Sequence, residues 1–87
     1  MSRETLLEFP CDFPLKIMGA ADADLSSTVA AIVVRHAPGF DPASIEMRPS
    51  KAGNYQSLTC TVRAVSLQQL DALYLELTSN PKVKVVL

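Results

Sequence analysis

The chain has 87 residues, of which 48% are hydrophobic and 20% are charged, and its formal net charge is −1. A chain of this length supports one hydrophobic core, and the composition is typical of a folded domain, which excludes extensive disorder. The near-neutral charge gives no general attraction to nucleic acid or to anionic lipid. The longest apolar run, 29–34, is too short to cross a bilayer, and Glu4 lies where a signal peptide would be basic or apolar. We therefore expect a cytoplasmic protein with no membrane association.

The first third of the chain predicts an arm, a strand and a helix. We interpret residues 1–12 as an N-terminal arm docked on a single domain that spans 13–87. Alternating apolar residues predict a first strand over 15–20, after which Asp22 or Asp24 is placed to cap a helix. Pro38 and Gly39 end that helix. The apolar stripe of the helix comprises Leu25, Val29, Ile32, Val33 and His36.

The rest of the chain predicts two strands, a second helix and a final strand. The second strand covers 44–48, and the proline that follows it suits an edge position, where a missing N–H costs little. The third strand covers 55–64, and Ser66 with Gln69 forms a capping box for the second helix. The last strand, 82–87, alternates lysine with valine, and lysines on an edge strand oppose aggregation.

This order of elements predicts an α+β, ferredoxin-like β-α-β-β-α-β fold. Right-handed crossovers give a four-stranded antiparallel sheet of order 4-1-3-2 with both helices on one face. Regular alternation then turns Met47, Val83 and Val85 toward the helices. The opposite, open face would carry Lys16, Met18, Glu46, Arg48, Ser57, Thr59, Thr61, Arg63, Lys82, Lys84 and Val86.

The open face would collect five of the eight basic residues with a single acid. Such a surface suits an anionic ligand, RNA or an acidic partner, although any solvated sheet face also needs charges. RNA-recognition modules stack bases on aromatic side chains of the central strands, and here only Tyr55 is aromatic. Nucleic acid is therefore disfavoured as a partner.

The loop between the second and third strands is the densest group of candidate binding side chains. Its N–H groups and Lys51 could hold a small anion or a partner segment, whereas the alternative is a long hairpin built from favoured turn residues. The candidate binding residues of the loop and the open face are Ser50, Lys51, Gly53, Asn54, Tyr55, Ser57, Lys16, Arg48, Arg63 and Lys84.

No catalytic or metal-binding pattern is present in the sequence. His36 is the only histidine, and it suits a structural role at a helix carboxyl end. Cys11 and Cys60 lie far apart and form no zinc or redox motif, so we expect Cys60 to be a core residue and Cys11 to lie in a loop. No glycine-rich phosphate-binding motif occurs. We expect no enzymatic activity, no catalytic residues, no metal and no cofactor.

Several short motifs occur along the chain, namely Leu6-Leu7-Glu8-Phe9-Pro10, Met18-Gly19, Arg35-His36-Ala37-Pro38, Gly53-Asn54-Tyr55 with Ser57, Leu73-Tyr74 and Val86-Leu87. In their order and spacing these motifs resemble the YbeD family of small bacterial proteins. The resemblance implies the same ferredoxin-like fold, similar to small-molecule-sensing regulatory domains of the ACT type, and implies no established activity. Relatives are often labelled lipoate regulatory proteins. Relatives also tend to have a lysine directly before the loop glycine, where this chain has Ala52 with Lys51 one residue earlier. The resemblance places the family pattern on Gly53, Asn54, Tyr55, Ser57, His36 and Pro38.

The sequence thus predicts a non-enzymatic regulatory or adaptor domain. It would bind a protein partner or a small metabolite through the open sheet face and the 48–57 hairpin. A second copy of the chain, forming a homodimer, is also a possible partner. The alternatives are a weak RNA-binding module that uses the basic face and an accessory subunit of an enzyme. The phosphate contacts of an RNA-binding module would make its affinity fall with salt, which separates it from the others.

Overall fold

The structure, a computed structural model, describes residues 8–87. Most of the predicted N-terminal arm lies outside these residues. Within residues 8–87 the strands and helices follow one another in the predicted order, and a short 3-10 turn at Pro42–Ser44 precedes the second strand. The elements are β1 Cys11–Ala20, α1 Leu25–His36, β2 Glu46–Pro49, β3 Tyr55–Ala64, α2 Leu67–Ser79 and β4 Val83–Val86.

The four strands form one antiparallel sheet in the order β2-β3-β1-β4, which confirms the predicted topology. The long strands β1 and β3 pair along their whole length, from Cys11 opposite Ala64 to Ala20 opposite Tyr55. Both helices pack on one face of the sheet in a single hydrophobic core. None of the helices in residues 8–87 is long and apolar enough to cross a membrane.

The core is apolar throughout the described residues, and no polar or charged residue is fully buried in it. Each buried leucine or valine side chain contributes about 1.5 to 3 kcal/mol relative to an exposed one. Cys60 is completely buried, which confirms its predicted core position, and this burial raises the pKa of its thiol to about 11. The largest fully buried side chains are Leu15, Ile17, Leu25, Val29, Val33, Leu58, Val62, Leu73 and Leu77.

The two helices begin in different ways. Neither predicted cap of α1 bonds a helix N–H through its side chain. Asp24 at the N-cap makes no side-chain cap bond, and Asp22 Oδ1 accepts the backbone N–H of Asp24 at 2.8 Å. The predicted cap of α2 is confirmed, since Ser66 Oγ accepts the backbone N–H of Gln69 at 3.1 Å. The Gln69 side chain reaches one residue further back than in a capping box, and its Oε1 accepts the N–H of Val65 at 2.6 Å.

Strand β1 begins at Cys11, four residues before the predicted start. The predicted arm therefore contains the first two residues of the strand, and Cys11 lies in β1 and not in a loop. Pro14 obscured this segment in the sequence because proline removes a donor from the ladder. It is tolerated here because β1 pairs with β4 only from Lys16 onward, so the missing N–H faces beyond the end of β4.

The predicted side-chain alternation of β4 is wrong beyond its first residue. Val83 lies opposite Gly19 and is buried, whereas Val85 lies opposite Met18 on the open face and is 43% exposed. A bulge between Met18 and Gly19 adds Lys84 as an extra residue, which reverses the alternation after it. Val86 therefore packs against the core, the opposite of the predicted orientation.

Strand β2 is shorter than predicted and lies at the edge of the core. It begins at Glu46 because the preceding residues turn, with Asp41 Oδ1 accepting the N–H of Ala43 at 2.9 Å. Met47 lies opposite Leu58 on the helix side of the sheet, as predicted, but it is 50% exposed. All four residues of this edge strand are exposed.

Candidate binding surfaces

The hairpin that joins β2 to β3 is a defined turn. Ser50 and Tyr55 face each other, with the Ser50 N–H donating to the Tyr55 carbonyl at 2.8 Å and the Tyr55 N–H donating to Ser50 Oγ at 3.2 Å. Gly53 has a φ of +75° and its N–H donates to the Ser50 carbonyl at 3.0 Å. Within residues 8–87 no residue other than glycine has positive φ, so Asn54 does not use the freedom that its sequence position suggested.

The hairpin is also attached to the neighbouring strand. The Asn54 carbonyl accepts the backbone N–H of Ala21, one residue after β1, at 2.9 Å. Tyr55 lies opposite Ala20 and on the same face as Ser57, which confirms the predicted parity of β3. The Tyr55 side chain is 51% exposed. The turn therefore presents the phenol at the margin of the open face.

The open face is less basic than predicted. Lys16, Arg48 and Arg63 do lie on it, and the strand pairing places Lys16 opposite Thr59 and Arg48 opposite Ser57. Lys84 is exposed but belongs to the β4 bulge, outside the paired rows. Lys82 is absent from this face.

Lys82 and Asp12 account for the change in charge. The Lys82 ammonium bonds Asp22 Oδ2 at 2.6 Å, near the start of α1. This bond raises the pKa of Lys82 and lowers that of Asp22. Asp12, which the sequence had placed in the arm, occupies the open face and pairs with Arg63 at 3.2 Å. The predicted five-to-one excess of basic residues is therefore wrong, because it required a regular β4 and a shorter β1.

The candidate binding residues do not converge on one pocket. Tyr55 and Arg63 lie eight residues apart along the same strand, a separation of about 26 Å. Ser50, Lys51, Gly53 and Asn54 lie at the Tyr55 end. Arg48 and Lys16 lie between the two ends. Such a distribution suits a broad contact surface better than the enclosure of one small molecule.

The open face contains a hydrophobic cluster that the sequence did not indicate. Met18 and Val85 are opposite each other, and Tyr55 is diagonal to Met18 on the adjacent strand. Leu87 lies opposite Lys16, because their backbone groups exchange two hydrogen bonds of 2.8 and 3.1 Å. We call Met18, Tyr55, Val85 and Leu87 the open-face patch. Their exposed fractions include 51% for Tyr55, 43% for Val85 and 65% for Leu87.

The carboxyl end of α1 is tied to α2 by a group of polar side chains. Glu76 accepts a hydrogen bond from His36 Nε2 at 2.7 Å and forms an ion pair with Arg35. The Gln69 side-chain amide donates to the carbonyls of His36 at 2.9 Å and Arg63 at 3.3 Å. These contacts support a structural role for His36. In residues 8–87 no group of three or more metal-ligating side chains comes together.

A cleft of about 710 Å³ opens between the end of α1 and strand β3. Its walls come from the α1–β2 connection, the last part of β3, and the first turn of α2. Phe40 and Val65 give it an apolar part, and Thr61, Arg63 and Gln69 a polar part. The sequence prediction did not include this cleft. The cleft arises because β2 begins only at Glu46, which leaves the last part of β3 without a neighbouring strand.

Comparison with known proteins places the chain in a family. Residues 4–87 match the model of a family described as a protein of unknown function, DUF493. A UPF0250 protein of Bordetella pertussis is 54% identical over 84 residues, which cover 97% of this chain and 92% of that protein. A UPF0250 protein of Nitrosomonas europaea is 47% identical over the full length of both chains.

A solved structure supports the fold. The solution structure of HP0495 from H. pylori superposes with a TM-score of 0.77, covering 93% of this chain and 85% of that one at 16% identity. This similarity shows a shared small ferredoxin-like fold. The near full-length match to the family model and the relatives at about 50% identity confirm the resemblance drawn from the sequence motifs. The chain belongs to the DUF493 family, which comprises the UPF0250, or YbeD, proteins of bacteria and whose function is unknown.

Proposed function

We propose that this protein is a non-enzymatic regulatory or adaptor domain that binds a protein partner or a small metabolite through its open sheet face. The observation that carries this proposal is the open-face patch, a group of exposed and partly exposed apolar side chains near the Tyr55 end of a face that no element of residues 8–87 covers. Exposed apolar clusters with a polar rim are typical of protein interaction sites.

The shape and rim of the patch favour a protein partner. The cleft lies at the β3 edge near Arg63, whereas the patch spreads over side chains of β1, β3 and the β4 end of the chain near Tyr55, so the patch offers contact area outside the cleft. Lys16 and Arg48 flank the patch. Glu46 lies in the same cross-strand row as Lys16, on the far side of β3, and Asp12 lies at the other end of the face beside Arg63. A partner with an apolar centre and an acidic border next to Lys16 and Arg48 would match this arrangement.

Two leucines of nearly equal exposure give a matched test. Leu87 in the patch is 65% exposed, and Leu75 on α2 is 69% exposed and lies outside the open face. We expect Leu87→Asp to weaken partner binding by about 2 kcal/mol, roughly 30-fold, as loss of a central apolar contact does. Leu75→Asp should leave binding unchanged. Neither change should greatly alter folding stability, because both side chains are mostly in solvent.

The measurement is affinity capture from a native lysate followed by mass spectrometry and titration of the captured protein. A partner retained by Leu75→Asp and lost by Leu87→Asp supports the proposal. A partner list that is the same for both variants contradicts it. Tyr55→Phe resolves the contact further, since it removes one hydroxyl and keeps nearly all apolar area. If the phenol oxygen takes part, this variant loses affinity while its melting temperature stays near that of the parent.

A further inference from the structure

Within residues 8–87, the last part of β3 has no neighbouring strand on its β2 side. Strand β2 pairs with β3 only as far as Glu46 opposite Thr59, whereas β3 continues to Ala64. The Ser50–Tyr55 bond shows that odd-numbered residues of β3 direct their N–H and C=O groups toward the β2 side. Thr61 and Arg63 therefore direct their backbone groups into the region that β2 does not reach.

The connection before β2 does not replace the missing strand. Its backbone N–H groups are used locally, with Ser44 donating to Asp41 at 2.9 Å and Ile45 to Pro42 at 3.3 Å. Within residues 8–87 no backbone hydrogen bond joins this connection to Thr61 or Arg63. The Gln69 side-chain amide reaches the Arg63 carbonyl at 3.3 Å. Among residues 8–87, therefore, no backbone partner occupies the N–H and C=O of Thr61 or the N–H of Arg63.

The cleft runs along this same edge. Thr61 and Arg63 line it from β3, and Phe40 and Ser44 line it from the α1–β2 connection. Val65, directly after the strand, is 59% exposed and forms an apolar end wall. The unpaired backbone groups repeat every second residue, about 7 Å apart, which is the spacing at which an extended peptide presents its own donors and acceptors.

We propose that the Thr61–Val65 edge of β3 binds an extended peptide segment of a partner protein. The segment adds a strand to the sheet beyond Glu46, the first residue of β2. Alternate side chains of the bound segment point to opposite faces of the sheet, so one set enters the cleft against Phe40 and Val65. That set is apolar. Arg63 is paired with Asp12, so the edge has little net charge and the segment needs no strong charge of its own.

This site is separate from the open-face patch and does not rest on the function proposed for it. The edge uses backbone groups at the Arg63 end of β3, whereas the patch uses side chains around Met18 near the Tyr55 end. Leu87→Asp should therefore leave binding at the edge unchanged. Each interface can fail its test without affecting the other.

Amide hydrogen exchange gives the direct test. The probe is a phage-displayed library of random peptides, from which binders are selected against the whole protein and synthesised with blocked ends. In the free protein the amides of Cys60 and Val62, which face β1, should exchange slowly, and those of Thr61 and Arg63 rapidly. A saturating peptide should slow exchange at Thr61 and Arg63 by about tenfold or more.

Two substitutions at one position separate backbone from side-chain recognition. Thr61→Pro removes the N–H that the peptide would bond, and Thr61→Val keeps it and removes only the hydroxyl. Proline is tolerated where the N–H faces outward from an edge, so the sheet can keep its pairing with β1. We expect Thr61→Pro to lose the peptide and Thr61→Val to bind it within about twofold of the parent.

Should the proline variant not fold, methylation of the peptide backbone provides the same information with the parent protein. Only every second N–H of the bound peptide faces β3. Methyl groups on that set of nitrogens should abolish binding, and methyl groups on the other set should be tolerated. The proposal is overturned if no peptide is recovered, if binders leave the Thr61 and Arg63 amides unprotected, or if sensitivity to methylation does not alternate.

Discussion

Replacing Gly19 with alanine tests the close approach of β4 to β1. A Cβ atom at Gly19 would lie 2.3 Å from the Lys82 carbonyl oxygen and 3.0 and 3.1 Å from the two δ-carbons of Leu25. The nearest obstacle is backbone and cannot rotate away, so β4 or the start of α1 must shift. An added methyl group in a packed site costs about 1 to 3 kcal/mol, and we expect the upper end of that range.

Two other glycines provide matched controls. No heavy atom lies within 4 Å of a Cβ built at Gly39 or at Gly53, but Gly53 has a φ of +75° and Gly39 does not have positive φ. Gly53→Ala should therefore cost about 1 to 2 kcal/mol through backbone strain alone. Gly39→Ala should be neutral, or stabilising by up to about 1 kcal/mol, because alanine restricts the unfolded chain.

Thermal unfolding followed by circular dichroism measures the three effects together. For a domain of this size 1 kcal/mol shifts the melting temperature by about 4 to 8 °C, so Gly19→Ala should melt more than about 10 °C below the parent. The expected order of destabilisation is Gly19→Ala, then Gly53→Ala, then Gly39→Ala. If the Gly19→Ala and Gly39→Ala variants have the same melting temperature, the close contact at Gly19 is refuted, together with the β4 register that depends on it.

Two further predictions follow from titratable groups. Asp22→Asn keeps an oxygen for the Asp24 N–H but removes the charge bonded to Lys82. Because the pKa of Asp22 is lowered below 3.8 on folding and that of Lys82 is raised above 10.5, the stability advantage of the parent should be present between these values. Urea unfolding at several pH values should show the advantage disappear as the pH falls through the lowered pKa of Asp22 or rises through the raised pKa of Lys82. The buried Cys60 thiol, with a pKa of about 11, should react with a disulfide reagent near pH 8 only after denaturation, since only about 0.1% of it is thiolate there. Fast reaction of both Cys60 and the partly exposed Cys11 in the native protein would contradict the core assignment.

Features that depend on neighbouring residues could be read from the sequence. The period-2 pattern of β3 predicted its bounds and both of its faces, and the Ser66–Gln69 spacing predicted the start of α2. Pro49, which the structure places as the last residue of β2, and the lysine in β4 correctly marked the edge strands. In each case the physical cause lies within about five residues of the feature, so no tertiary information was needed.

Features that depend on distant contacts could not be read in this way. The β4 bulge forms where Gly19 lets the backbone of Lys82 approach β1, and this contact joins residues far apart in sequence. A one-residue shift turns every later side chain to the other face. This is why Val85 joined the open face and Val86 the core. The same limit applied to Lys82, whose partner Asp22 lies 60 residues away.

The treatment of the sheet edges gives an independent reason to regard the Thr61–Val65 edge as a binding site. Exposed edges invite pairing with other chains, and folded proteins block them with proline, lysine or a bulge. This chain does so twice, with Pro49 in β2 and with the Lys84 bulge in β4. In the part of the chain that the structure describes, none of these three devices is found at Thr61 and Arg63, and a cleft lies alongside. Pro49 and the Lys84 bulge suppress unspecific association at the β2 and β4 edges. The Thr61–Val65 edge is then the place at which a partner strand can be accepted selectively.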